Sequence, residues 1–162
     1  MSGFRRVRGG DAVASFSVEE ASMLADLARQ VSSLIAGRAD TAHDPALERL
    51  LPDAYRDNTE HADEFRRFTE EHLADGKMRN ATAIADALSA PSVRGKVEVR
   101  LDAAAAGAWM RSLTDLRLTL AARVGIVDES MPSPRDDSEE MLLAIYEWLG
   151  YQLETLIRAI DR

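Results

Sequence analysis

No cysteine occurs among the 162 residues, so the chain has no disulfide framework, no thiolate metal site and no thiol nucleophile. No apolar window approaches the length of a membrane span. No apolar run of signal-peptide length follows the arginines of the N-terminus, so the expected compartment is the cytoplasm. Glycine and proline number only nine and five, and 46% apolar with 30% charged residues is the balance of a folded helical protein, not of a disordered one. The formal charge of −8 works against general affinity for nucleic acid, which requires clustered Lys and Arg to release counterions. Also missing are a Gly-x-Ser-x-Gly elbow, a phosphate-cradling glycine loop, a dinucleotide fingerprint and a His-Glu-x-x-His pair. No cofactor and no metal are expected.

What is present is helical periodicity on a chain long enough for one domain, 1–162, with a core that needs no staple. The stretch Ala108 to Leu120 is the centre of the pattern. At about 100° per residue, Trp109, Leu113, Leu116, Leu120 and Val124 fall within roughly 60° to 80° of arc, the stripe of a core-facing helix. Leu118, Ala121 and Ala122 lie on the opposite side, interrupted by Arg111 and Asp115, whose spacing of four allows a surface pair. Apolar residues on two sides mark a central helix. Arg117 flanks the stripe: either it lays its stem on the core with its head in water, or it is held for a partner's carboxylate.

Before this helix, Phe4 to Arg8 and Ala12 to Phe16 read as two short strands joined by Gly9-Gly10-Asp11, a hairpin signal. Arg5, Arg6 and Arg8 mark either the solvated edge of a small sheet or an arm reaching for phosphate. Ser17-Val18-Glu19-Glu20 is a capping box, opening a helix that Gly37 stops. Asp40 to Asp44 reads as a loop. Asp44 and Pro45 begin a short helix carrying Leu47, Leu50 and Leu51. Asp57 or Thr59 then caps a second long helix, about Ala62 to Leu88, with Phe65, Phe68, His72, Leu73, Ile84, Ala85 and Leu88 along it and a kink allowed at Gly76. Asp63, Glu64, Arg66 and Arg67 supply pairs on its outer side.

Pro91 closes that helix, and Lys96 to Leu101 alternates polar and apolar as a half-buried strand should. Asp102 caps the central helix and Gly125 ends it. Asp128 to Glu140 is an acidic, turn-rich connection. A last helix from about Ser138 places Leu142, Ile145, Leu149, Leu153, Leu156 and Ile160 at three- and four-residue steps, the pattern of a packed bundle. Trp148 and Tyr151 project off that stripe, so each is either covered by another element or part of an interface.

The three histidines give no metal site. His61 and His72 share one side of a helix but lie roughly 16 Å apart, and His43 stands alone in a loop. The carboxylates sit mostly at helix starts and on polar faces, so no acid–base pair stands out. No short basic helix follows a tight turn, as a helix-turn-helix requires.

Four segments together resemble an uncharacterised bacterial family catalogued as a domain of unknown function. They are Arg49 to Tyr55, Glu64 to Thr69, Ala108-Trp109-Met110 through Leu118, and Ile145 to Gly150 with Gln152 and Leu153. The likeness runs from about Phe4 to Ile160, with Asp75-Gly76 departing from the helix-favouring residues anticipated there. In that family the gene commonly sits beside that of ClpS, the adaptor that hands substrates to a Clp protease, which implies a link to regulated proteolysis. No catalytic residues are established for the family, so none transfer.

The expectation is a mainly α protein of about four main helices, with a small antiparallel sheet made by the N-terminal hairpin and the strand near 96–101. Functionally it is expected to be a non-enzymatic interaction or regulatory protein, a homodimer, acting through Arg117, Trp148 and Tyr151. The alternatives are a DNA-binding regulator using Arg5, Arg6 and Arg8, and a helical domain binding a small molecule beside Arg117.

Overall fold

A computed structural model describes residues 3–40, 44–52, 63–126 and 133–161. The elements are β1 (Arg5–Arg6), β2 (Ala12–Ser17), α1 (Val18–Ala36), a 3₁₀ turn at Arg38–Asp40, α2 (Pro45–Leu50), α3 (Asp63–Ala87), β3 (Lys96–Leu101), α4 (Ala103–Val124) and α5 (Asp137–Ile160). This is the mainly α architecture with a small sheet that the periodicity implies. No helix among the described residues is long and apolar enough to cross a membrane. The expected caps at Asp57 or Thr59, the histidines His43 and His61, and the first part of the acidic connection lie outside the described residues.

Local chemistry fixes the element ends. Ser17 Oγ accepts from Glu20 N at 3.0 Å while the Glu20 carboxylate accepts from Ser17 N at 2.8 Å, so two orphan donors at the start of α1 are satisfied reciprocally. Asp44, Asp102 and Asp136 cap α2, α4 and α5 in the same sense, each accepting from a backbone N–H of the first turn. Gly125 ends α4 at φ 80°, a left-handed position that glycine adopts without steric cost. Gly9 and Gly10, at φ 99° and 98°, turn the chain between β1 and β2. Helix α3 is continuous through Gly76.

The sheet runs β1-β2-β3, antiparallel throughout. Ala12, Ala14 and Phe16 on β2 oppose Leu101, Val99 and Val97 on β3, and all six are buried. That apolar face receives the helices. Phe16 stacks on Trp109 of α4 at 6.2 Å, and Phe4 meets both rings edge-on at 6.0 and 5.7 Å. Trp148 of α5 closes the cluster against Phe16 at 6.0 Å. Each of the buried rings Phe4, Phe16 and Trp109 contributes about 1.5–3 kcal/mol by burial alone, so this junction ties the sheet firmly to the helices. The chain start is tied to it: Phe4 N donates to Thr155 Oγ1 at 2.9 Å, and a Cβ on Gly3 would meet Thr155 at 2.6 Å, closer than atoms can pack.

Helix α4 is central, packed against α2, α3 and α5 and touching α1 and β3. Its expected stripe of Trp109, Leu113, Leu116, Leu120 and Val124 is buried throughout. Two expectations need correction. Asp115 is buried, with 3% of its surface exposed, and it pairs with Lys77 of α3, not with Arg111 along the surface. On α5 the buried positions are Leu143, Leu149, Gln152, Leu156 and Ala159, while Leu142, Ile145, Leu153 and Ile160 are only partly covered. The stripe is turned because α5 packs against α4 on one side and β1 and β2 on another.

Candidate functional site

The residues singled out from the sequence are spread over the molecule. Arg5 and Arg6 lie exposed on the edge strand β1, and Arg8 is exposed in the turn that follows. Trp148 is half-buried against Phe16, covered by an element of its own domain. Tyr151 lies on the outer side of α5, 36% exposed. Arg117 is half-buried between α4 and α5, its guanidinium carbon 4.1 Å from the centre of the Tyr146 ring, a cation–π contact. Gly150 gives it room: a Cβ there would lie 3.0 Å from the Arg117 guanidinium. The Arg117 head is therefore seated within the domain.

Among the described residues, two clefts between helices stand out. The larger, about 640 Å³, lies among α1, α4 and the start of α5 and is lined by Leu27, Leu34, Leu116, Leu120 and Leu142. Its rim charges are already paired. Arg123 donates to both Asp44 oxygens at 2.9 and 3.1 Å, and Arg29 pairs with Asp26. The Arg123 hydrogen bonds hold the Asp44 carboxyl below its usual range.

The second cleft, about 570 Å³, opens between α3 and α4. Its walls come from His72, Leu73, Gly76, Lys77, Arg79 and Asn80 on α3 and from Met110, Arg111, Thr114 and Asp115 on α4. Lys77 Nζ reaches the Asp115 carboxylate at 2.6 Å. Burial pushes the Asp115 carboxyl above its usual range, outweighing the hydrogen bond and charge of Lys77, which act the other way. The pair thus links α3 to α4 in the cleft wall, and Arg79 and Arg111 line the same cleft as this one carboxylate, which Lys77 already engages.

Beyond the cleft mouth, α3 carries Phe65 and Phe68, 74% and 71% exposed, and Leu73, 43% exposed. Phe68 stacks with His72 at 6.5 Å. By helical geometry Phe65, Phe68, His72 and Gly76 fall on one side of α3, so the apolar surface leads into the cleft. Among the described residues no group of three or more His, Asp or Glu is placed to hold a metal. The arrangement is suited to binding a surface of mixed apolar and charged character.

Sequence reasoning set Phe65, Phe68, His72 and Leu73 along this helix with Ile84, Ala85 and Leu88, but did not separate the exposed first group from the buried second. The signal was Lys77 itself, which shares the inner side of α3 with Ala74, Ala81 and Ile84, all buried. A lysine on a buried stripe requires a carboxylate partner, and Asp115, flanked by Leu113 and Leu116, was the candidate.

A mainly α fold with a small sheet, an open cleft between two helices and an exposed apolar helix face is the class that fold and site define. Residues 1–160 match the model of a family described as "Domain of unknown function (DUF2017)", and the chain belongs to that family. It is similar to a protein of Mycobacterium leprae (strain TN) named "Putative oxidative stress regulator AosR", with 30% identity over 156 residues that cover 87% of this chain and 70% of that protein. No solved structure matches the chain.

Proposed function

We propose that this protein is a non-enzymatic regulatory protein that acts by binding another protein. The observation that carries the reading is the exposure of Phe65 and Phe68, 74% and 71%, together on one helix. Large apolar side chains held side by side in water are characteristic of an interaction site. The name of the Mycobacterium leprae relative supports a regulatory role, and the family's gene neighbourhood makes ClpS and the Clp protease the first place to look for the partner. A cytoplasmic location and a homodimeric state belong to the same proposal. If the chain shares its relative's named role, oxidant cannot be read here through a thiol, because there is none; among the described residues an exposed methionine such as Met141, 66% exposed, is the oxidisable alternative.

The test is quantitative co-purification of the tagged full chain from its source cells, ClpS included among the proteins scored, beside the Phe65→Ser/Phe68→Ser variant. A partner retained by the native chain and lost by the variant is the expected result. Identical retention by both would remove these residues from the interaction and with them this reading.

A further inference from the structure

Resting on that reading, we infer the chemistry of the partner: the α3–α4 cleft and the adjoining outer face of α3 receive an amphipathic segment that presents apolar anchors bordered by carboxylates. Three observations converge on this occupant. The first is apolar continuity, since Phe65, Phe68 and Leu73 lead directly to a cleft whose α4 wall carries Met110. The second is charge. In a chain of net charge −8, this cleft gathers Lys77, Arg79 and Arg111 against one carboxylate. Asp115 is taken by Lys77, and among the described residues neither Arg79 nor Arg111 has a carboxylate within ion-pair reach. Two guanidinium groups with open donors favour bidentate recognition of carboxylates.

The third observation is Gly76, which sits in the cleft wall in the middle of a helix. Among the described residues, no close contact requires it. A Cβ at that position would meet only the Arg79 guanidinium, at an ordinary 3.8 Å. A helical glycine without internal cause, facing an open cleft, allows another backbone to approach closely. The opposite border of the α3 face carries Glu64, Glu71 and Asp75, placed there by helical geometry. An acidic segment is therefore steered toward Arg111 on α4, while Arg79, four residues after Asp75 on α3, stands between that acidic border and the cleft.

Two synthetic helical peptides with the same leucine face, one bordered by glutamate and one by lysine, distinguish the outcomes when titrated by fluorescence anisotropy against the full chain. The glutamate peptide binds more tightly, and its affinity falls as salt is raised. Arg79→Glu/Arg111→Glu lowers that affinity by about tenfold or more, whereas Phe65→Ser/Phe68→Ser weakens both peptides; unchanged circular dichroism shows that each variant is folded. Equal binding of the two peptides, no binding of either, or no effect of the arginine changes would overturn the inference. So would tighter binding to anionic phosphatidylglycerol vesicles, or sedimentation showing that a second copy occupies the face. If native partner capture survives the arginine changes but not the phenylalanine changes, the acidic-segment inference fails while the protein-binding reading stands.

Discussion

The chain has four phenylalanines, and they divide into two pairs with opposite fates. Phe4 and Phe16 are 6% and 1% exposed, while Phe65 and Phe68 are 74% and 71% exposed. Sequence neighbours do not separate them, since Phe4 precedes Arg5-Arg6 and Phe65 precedes Arg66-Arg67. What differs is what covers each segment. Phe4 stands at the start of an edge strand that α5 packs across, with its backbone held by Thr155. Among the described residues, the outer side of α3 has no such layer over Phe65 and Phe68. One region uses its aromatic surface to hold the sheet onto the helices, and the other leaves comparable surface in water. The contrast places stability at the sheet end of α4 and the proposed binding surface along α3.

The comparison breaks most sharply at its two extremes. Trp109→Ala removes the ring that Phe4 and Phe16 both contact and is expected to lower unfolding stability by about 3–5 kcal/mol, measured by urea denaturation. Phe65→Ser/Phe68→Ser should stay within about 0.5 kcal/mol per site. A large loss from the second variant would mean that α3 depends on those rings for its fold, which would undo the division.

Next in size is the ion pair beneath the binding region. Lys77→Met strands Asp115 as an uncompensated buried charge and is expected to cost about 3 kcal/mol at neutral pH. The pH dependence has a definite sign. A carboxyl whose native pKa lies above its ordinary value of 3.8 contributes stability that is fully present below that value and lost as pH rises through the native pKa. The deficit of Lys77→Met should therefore shrink on acidification, and Asp115→Leu added to it should recover much of the loss. Asp44 has the opposite sign: its pKa is held below 3.8 by Arg123, so its contribution is present above that value and is lost as pH falls through the lowered pKa. Urea titrations of native protein and variant over a pH series read both effects.

Much of the scaffold was legible because it is coded locally. Ser17 with Glu20, Asp102, Gly125 and the alternation of Lys96 to Leu101 each act within a few residues, and the structure uses every one of them. The candidate site was not legible in the same way. Arg111 and Asp115 satisfy the four-residue rule for a surface pair, yet Asp115 pairs with a residue 38 positions away. Periodicity tells that α4 has a second buried face but not that α3 lies on it. Trp148 shows the same limit, since its offset from the α5 stripe reflects a sheet behind it that single-helix geometry does not contain.

Smaller effects sharpen the picture of α1 and its cap. Ser17→Ala removes the side-chain acceptor for Glu20 N and is expected to lower stability by about 1 kcal/mol. Because Ser17 also ends β2 at the register position opposite Lys96, the loss should appear as faster hydrogen exchange in the first turn of α1, with the sheet protected as before. Exchange spreading through β2 and β3 would instead show that cap and sheet end open as one unit.

The smallest expected change tests the two regions against each other at one atom. Gly76→Ala adds a methyl group whose nearest neighbour is the Arg79 guanidinium at 3.8 Å, so packing does not resist it, and helix propensity alone should raise stability by up to about 1 kcal/mol. The same methyl projects into the cleft and should weaken the glutamate peptide. Higher stability with poorer binding is what a glycine kept for an approaching partner produces. Unchanged binding would show that the partner does not reach this turn of α3, and would confine its contacts to Phe65 and Phe68.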